Sequence, residues 1–201
     1  MTYSVKIDLD KALKSNHPVI IDLGCGPKKK AGTITIDKID MPSVDIIADL
    51  EEGLPFLPDR CADQINCKSI LEHVDNFENL MREIVRILKK DGKAHIFVPH
   101  FSNPYFYSDF THKRHFGLYS FYYFVDTEKQ LKRKVPNFYT DIRIEIISLR
   151  LVFRSPFRFS HQLKKLFGLI INRHRSLMEY YEQHLCYLCP CYGIEVVFKP
   201  A

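Results

Sequence analysis

No stretch of this chain approaches the roughly twenty consecutive apolar residues that a spanning helix needs, which excludes a helical membrane anchor. Residues 1–14 alternate charged and apolar side chains and lack the apolar centre of an export signal. Without that signal the six cysteines read as free thiols in a reducing compartment rather than a disulfide framework, and the cytoplasm is the expected location. Cys186, Cys189 and Cys191 offer one tight spacing and no second C-x-x-C, so zinc-binding grammar is missing and no metal site is expected. Internal repeats and low-complexity tracts are also absent, which excludes a solenoid and argues against disorder.

What remains, 201 residues at 46% hydrophobic, is enough for one well-buried domain. The net charge of +5 gathers in three clusters, at 28–30, 129–134 and 154–175. Such clusters are solvated faces or contacts for an acidic, phosphorylated or membrane-surface partner. The charge is moderate and no nucleic-acid recognition module accompanies it, so nucleic acid is not an expected partner.

The chain is organised around residues 17–27, His-Pro-Val-Ile-Ile-Asp-Leu-Gly-Cys-Gly-Pro. Val19, Ile20 and Ile21 form a short continuous apolar run, the mark of a parallel strand covered on both faces. Asp22 ends it, and Gly24 and Gly26 follow where a ligand needs close approach to the main chain. The dinucleotide fingerprint is incomplete, because Lys29 stands where its third glycine would be.

Two further strands ending in carboxylates are predicted at 33–37 and 44–49. Only 27–32 and 38–43 connect them, too short for crossover helices, which need ~10–12 residues or more. A loop at 50–60 leads to a fourth strand at 62–67. Phe77, Leu80, Met81, Ile84, Val85 and Leu88 form one apolar stripe of a helix, capped by Asp75 or Asn76 and ended by Lys89, Lys90 and Gly92. Strands follow at 94–98, 140–150 and 194–198. Residues 100–124 are dense in Phe, Tyr and His, rings that are costly to leave in water, and are expected to fold over something. Leu163, Leu166, Phe167, Ile170 and Ile171 form a basic amphipathic helix that either packs on its own domain or lies on a membrane surface.

D-L-G-C-G, a carboxylate ending the second strand, A-D-L-E-E-G-L-P-F, and L-E-H-V before L-M-R-E-I-V-R-I-L-K-K-D-G occur in that order over residues 19–98. In combination they resemble a class I S-adenosylmethionine-dependent methyltransferase of the UbiE-like methyltransferase-domain group, with a trimmed first half. The resemblance implies an α/β fold: a Rossmann-like, seven-stranded, mostly parallel sheet of order 3-2-1-4-5-7-6 with strand seven antiparallel. Reduced first helices and an aromatic lid insertion complete it. One domain would cover 1–201, with 100–135 as the acceptor-side lid and 155–190 as a helical insertion. The resemblance also implies cofactor contacts. Asp22, Gly24, Cys25 and Gly26 would line the methionine end, and Asp37 with Lys38 the ribose. Asp49 and Leu50 would take the adenine, and Asn66 and Cys67 would pass beneath the methionine.

Methyl transfer to a hydroxyl needs alignment and a base, and a histidine near neutrality suits the second task. His100, just past the fifth strand, is the first choice, followed by His112 with Asp109 assisting. His73, Tyr105, Tyr107, Arg114 and Tyr119 are the expected acceptor-binding residues. The acceptor class expected is a small molecule, sugar, phenol or lipid-linked hydroxyl, with peripheral membrane contact through 161–175 and a homodimer as further partners. A protein or RNA methyltransferase, and an inactive partner-binding protein on the same sheet, are the competing readings.

Overall fold

A computed structural model describes residues 3–201. The strands are β1 (Ser4–Val5), β2 (Ile20–Leu23), β3 (Thr33–Asp37), β4 (Ile46–Ile47), β5 (Ala62–Lys68), β6 (Leu88–Pro99), β7 (Ile144–Val152) and β8 (Gly193–Pro200). They form one sheet in the order β1-β4-β3-β2-β5-β6-β8-β7. The run from β4 to β6 is parallel, while β8 is antiparallel to both β6 and β7. Seven strands thus take the expected order, and the sheet gains an eighth. β1 adds antiparallel to the edge at β4, and the remainder of the N-terminal segment is α1 (Leu9–Leu13), capped by the Asp8 side chain accepting from Lys11 N–H.

β2 lies between β3 and β5 and is covered on both faces: Ile21 and Leu23 are fully buried on one, and Asp22 is 7% exposed on the other. Neither 24–32 nor 38–45 contains a helix. The first connection is held by other means: Gly24 and Cys25 N–H both donate to Ile36 O, at 2.8 and 3.3 Å, and Lys29 Nζ meets Asp45 Oδ1 at 2.5 Å.

α2 (Phe77–Ile87) begins at Asn76, whose side chain accepts from Asn79 N–H, and buries Leu80, Met81, Ile84 and Ile87. It ends earlier than the sequence predicts, because Leu88 already pairs with Ala62 as the first residue of β6. The expected Lys-Lys-Asp-Gly turn is a bulge inside that strand pairing, with register resuming at Gln64 and Lys93. A Cβ on Gly92 would stand 2.8 Å from Ala62 O, so glycine lets the bulge close.

The aromatic segment divides into two parts. Phe116, Phe121 and Phe124 are buried and meet Phe77 edge-on at 5.4, 6.3 and 5.7 Å, so this half belongs to the main core. Residues 101–115 pass over the carboxyl ends of β5 and β6.

α3 (Arg158–Ile171) and α4 (Arg175–His184) lie between β7 and β8. α3 docks through Phe167, Gly168 and Ile171, with Gly168 against Phe153, where a Cβ would come within 2.9 Å. Only part of its expected apolar stripe is used. Leu163, Leu166 and Ile170 are exposed by 55, 59 and 54%, alongside Phe159 at 78%. Among the described residues no helix is long and apolar enough to cross a membrane.

Candidate functional site

Parallel strands place their carboxyl ends along one edge of the sheet, and open α/β folds bind ligands there. At the ends of β2, β3 and β4 lies a cavity of about 330 Å³, within the size range of small-ligand sites. Gly24, Asp37, Lys38, Asp49, Leu50, Ile70 and His73 are among the residues that line it. Gly24 has φ +63°, and a Cβ there would stand 2.7 Å from the Ile70 side chain. Asp37 Oδ2 accepts from Gly26 N–H at 3.0 Å and its Oδ1 from Ile39 N–H at 3.1 Å. A carboxylate offers about four acceptor positions, so these two backbone bonds orient Asp37 and leave it capacity for two ligand hydroxyls. Asp49 Oδ1 is fixed the same way by Glu51 N–H at 3.0 Å, which starts the turn at Leu50–Glu52.

Five expected cofactor contacts lie off this wall. Asp22 is 7% exposed beneath the turn, where burial raises its pKa against the opposing pull of Lys30 and Lys68. Cys25 Sγ turns onto Gly26 O, and the Gly26 N–H is taken by Asp37. Asn66 Oδ1 accepts from Gln64 on the same face of β5, and Cys67 is buried, its thiol pushed far up by that burial. The glycine turn folds back onto β3, with Gly24 and Cys25 N–H on Ile36 O.

A second cavity, of about 230 Å³, shares His73 with the first. Glu72, Tyr105, Asp109 and His112 line it. His112 Nδ1 faces the carbonyl of Phe106 at 2.8 Å, and a carbonyl only accepts, so Nδ1 carries a proton and Nε2 is the lone-pair nitrogen of the neutral ring. Thr111 gives its hydroxyl proton to Asp109 Oδ1 at 2.6 Å and must therefore accept from His73 Nδ1 at 2.9 Å, which fixes His73 in the same tautomer. The two imidazole rings are 4.8 Å apart. Burial lowers the pKa of His73, and the adjoining His112 adds to this. Burial pushes the Glu72 carboxyl up to about 7, with Asp109 contributing.

His100, the first choice as base, lies just past the end of β6, away from both cavities. It is fully buried, with Nδ1 on Ser102 Oγ at 2.8 Å and Nε2 on Glu182 Oε2 of α4 at 2.9 Å, so both ring nitrogens have partners within the fold. Of the expected acceptor residues, His73 and Tyr105 line the second cavity. Tyr107 donates its hydroxyl to Phe101 O, and Arg114 holds the carbonyls of Val74 and Asp75. Tyr119 lies in a separate cleft, where burial and Glu179 raise its phenol to about 12. Glu72 was missed, although it stands beside His73 in the L-E-H-V motif.

Residues 28–96 match the family model described as a methyltransferase domain, about a third of the chain and the part that runs from the glycine turn into β6. Over those residues the chain is similar to methyltransferase domains. No curated protein matches it. Among solved structures, the chain resembles a candidate methyltransferase from Bacillus halodurans C-125, at 16% identity and a TM-score of 0.54, over 96% of this chain and 99% of that one. It also resembles the MccD protein, at 13% identity and 0.51 over 96 and 94%. A chain of the complex between the Haloferax volcanii Trm112 methyltransferase activator and a candidate methyltransferase aligns at 12% identity and 0.51, over 96 and 88%. At these identities the likeness is one of fold. The acceptor capacity left at Asp37 suits a ligand with paired hydroxyls.

Proposed function

We propose that this chain is a methyltransferase that moves the methyl group of S-adenosylmethionine to a hydroxyl oxygen of a small-molecule, sugar-linked or lipid-linked acceptor, in a cytoplasmic biosynthetic step. In this reading residues 1–201 act as one domain. Gly24, Asp37, Lys38, Asp49 and Leu50 hold the cofactor, while Tyr105, Asp109 and His112 face the acceptor. The observation that carries the reading is His73, a wall of both cavities, because methyl transfer requires two ligands to meet at one point.

When bound, S-adenosylmethionine supplies a methyl on a cationic sulfur, and the reaction is an in-line displacement. The chain's own task is chiefly alignment, worth roughly 7–11 kcal/mol in the best cases. Asp37 fixes the ribose and the turn at Asp49 fixes the base, so the methyl direction is set by backbone-anchored carboxylates. On the acceptor side, the His73, His112 and Asp109 group handles the hydroxyl proton, a contribution of about 10²- to 10⁴-fold.

The test is calorimetric titration with S-adenosylmethionine and S-adenosylhomocysteine, followed by transfer assays on nucleotide sugars and phenols. Asp37→Ala is expected to weaken both ligands by about 10- to 100-fold, the loss of charged hydrogen bonds. His112→Ala is expected to keep cofactor affinity and lose turnover by at least about 100-fold. Folded protein that binds neither ligand would overturn the proposal in favour of a partner-binding protein on the same sheet.

A further inference from the structure

Beside the His73 wall that the two cavities share, hydrogen-bond acceptors converge. Glu72 is 1% exposed, and its Oε2 is the single buried side-chain oxygen or nitrogen without a hydrogen-bond partner among the described residues. A buried, unpartnered carboxylate oxygen is costly and calls for an explanation. Beside it stand His73 and His112, whose Nδ1 protons are committed to Thr111 and to Phe106 O, which makes Nε2 the lone-pair nitrogen of each neutral ring. Asp109 Oδ2 is 3.6 Å from His112 Nε2, a fourth acceptor facing a lone pair.

We propose that Glu72, His73 and His112 form a binding site for a divalent transition-metal cation that takes the acceptor hydroxyl as a further ligand. Their ligand atoms all lie within 4.8 Å of one another, little more than twice a metal–ligand bond of about 2.0–2.2 Å. Two imidazoles and one carboxylate, with open positions toward a cavity, form a set used by catalytic sites for zinc, iron and related cations. The backing is also of the kind such sites use, since metal-binding histidines donate their other ring N–H to a backbone carbonyl or a carboxylate-linked group. Here Phe106 O serves His112, and the Thr111–Asp109 pair serves His73. None of this resembles the cysteine-rich tail, where the Cys191 thiol instead donates to Val152 O and Gly193 O.

The cation-bound hydroxyl loses its proton to the Asp109 carboxylate, which is exposed and passes it to solvent. The oxygen then attacks the methyl carbon, a carbon–oxygen bond forms, and the sulfur–carbon bond breaks with its electron pair going to sulfur. No oxidant or reductant is needed, because the cation acts by polarising and orienting the hydroxyl. The inference rests on the methyltransferase reading for the identity of that last ligand, but cation binding itself does not.

The test uses the full chain, stripped of metal and titrated with Co²⁺ by visible absorption and with Mn²⁺ and Zn²⁺ by calorimetry, without S-adenosylmethionine. One equivalent is expected, with cobalt d–d bands characteristic of nitrogen and oxygen ligands. His112→Ala and Glu72→Gln should each weaken binding by about 100-fold, and Thr111→Val, which frees the His73 ring, by roughly 10-fold. Absence of a one-equivalent site, or cobalt bound equally by both ligand variants, would overturn the proposal. A cobalt site without cofactor binding would leave this inference standing and remove the methyl-transfer reading, and the reverse result would separate them in the other direction.

Discussion

Gly24 and Gly26 both occupy the left-handed region, with φ +63° and +60°, yet their surroundings differ. A Cβ at Gly26 meets nothing within 4 Å, whereas at Gly24 it would stand 2.7 Å from Ile70. Gly26→Ala therefore carries the backbone term alone, roughly 1–2 kcal/mol. Gly24→Ala adds overpacking of about 1–3 kcal/mol and displaces Ile70 from the cofactor cavity. Urea denaturation should rank the two in that order, and only Gly24→Ala should weaken S-adenosylmethionine in calorimetry; equal behaviour would show that Ile70 yields without cost. This turn also shows which residues were legible in the sequence. Asp37 and Asp49 were readable because a strand end is a local feature. The burial of His100 was not, because the Glu182 that claims its ring is 82 residues away in sequence. The pairing of Glu72 with His112 is likewise a product of the fold.

The connection between β2 and β3 shows how a missing helix is replaced. Asp45, buried at the start of β4, accepts from Thr35 N–H at 3.0 Å, from Thr35 Oγ1 at 2.9 Å and from Lys29 at 2.5 Å. Burial alone would raise its pKa, but these hydrogen bonds outweigh burial and hold the carboxyl below its ordinary range. A carboxylate with a lowered folded-state pKa contributes stability that is present above the unfolded value of about 3.9 and is lost as pH falls through the folded value. The urea midpoint should therefore drop as pH falls below about 4, and Asp45→Asn should shallow that drop while costing roughly 1.5–3 kcal/mol at pH 7. An unchanged acid limb in Asp45→Asn would assign it to other carboxylates. Lys29 is 41% exposed, so Lys29→Met should cost no more than about 1 kcal/mol. The sequence showed that no helix could fit here, since residue spacing sets that limit, and the periodicity of α2 was equally plain. The clip itself was hidden, as were the early end of α2 and the two-residue β1, because each depends on a neighbouring strand rather than on local pattern.

Charge and apolar surface are segregated across the whole molecule. Between Glu145 and Glu179 there is no carboxylate, while Arg150, Arg154, Arg158, Lys164, Lys165, Arg173 and Arg175 all fall there. These cations exceed the net +5 of the chain, so the remainder is net acidic. On the same segment Phe159, Leu163, Leu166 and Ile170 recur at helical spacing on the outer face of α3, opposite the face that packs on Phe153. Two such surfaces would repel if they met as a dimer, whereas an anionic bilayer satisfies both the charge and the stripe. Burying the exposed part of each side chain is worth about 1 kcal/mol, and each nearby cation adds about 1 kcal/mol against anionic lipid. Co-sedimentation with phosphatidylglycerol vesicles should therefore retain the protein, while phosphatidylcholine vesicles or 0.5 M salt should release most of it. Leu163→Glu with Leu166→Glu should abolish retention without altering thermal stability, because both side chains are already more than half exposed. Equal retention by both lipids would remove the electrostatic part of the argument. A dimer in light scattering that the same double substitution dissolves would assign the stripe to a second copy. Binding to the anionic vesicles alone would favour a lipid-linked hydroxyl among the proposed acceptors, since such an acceptor is presented at that same surface.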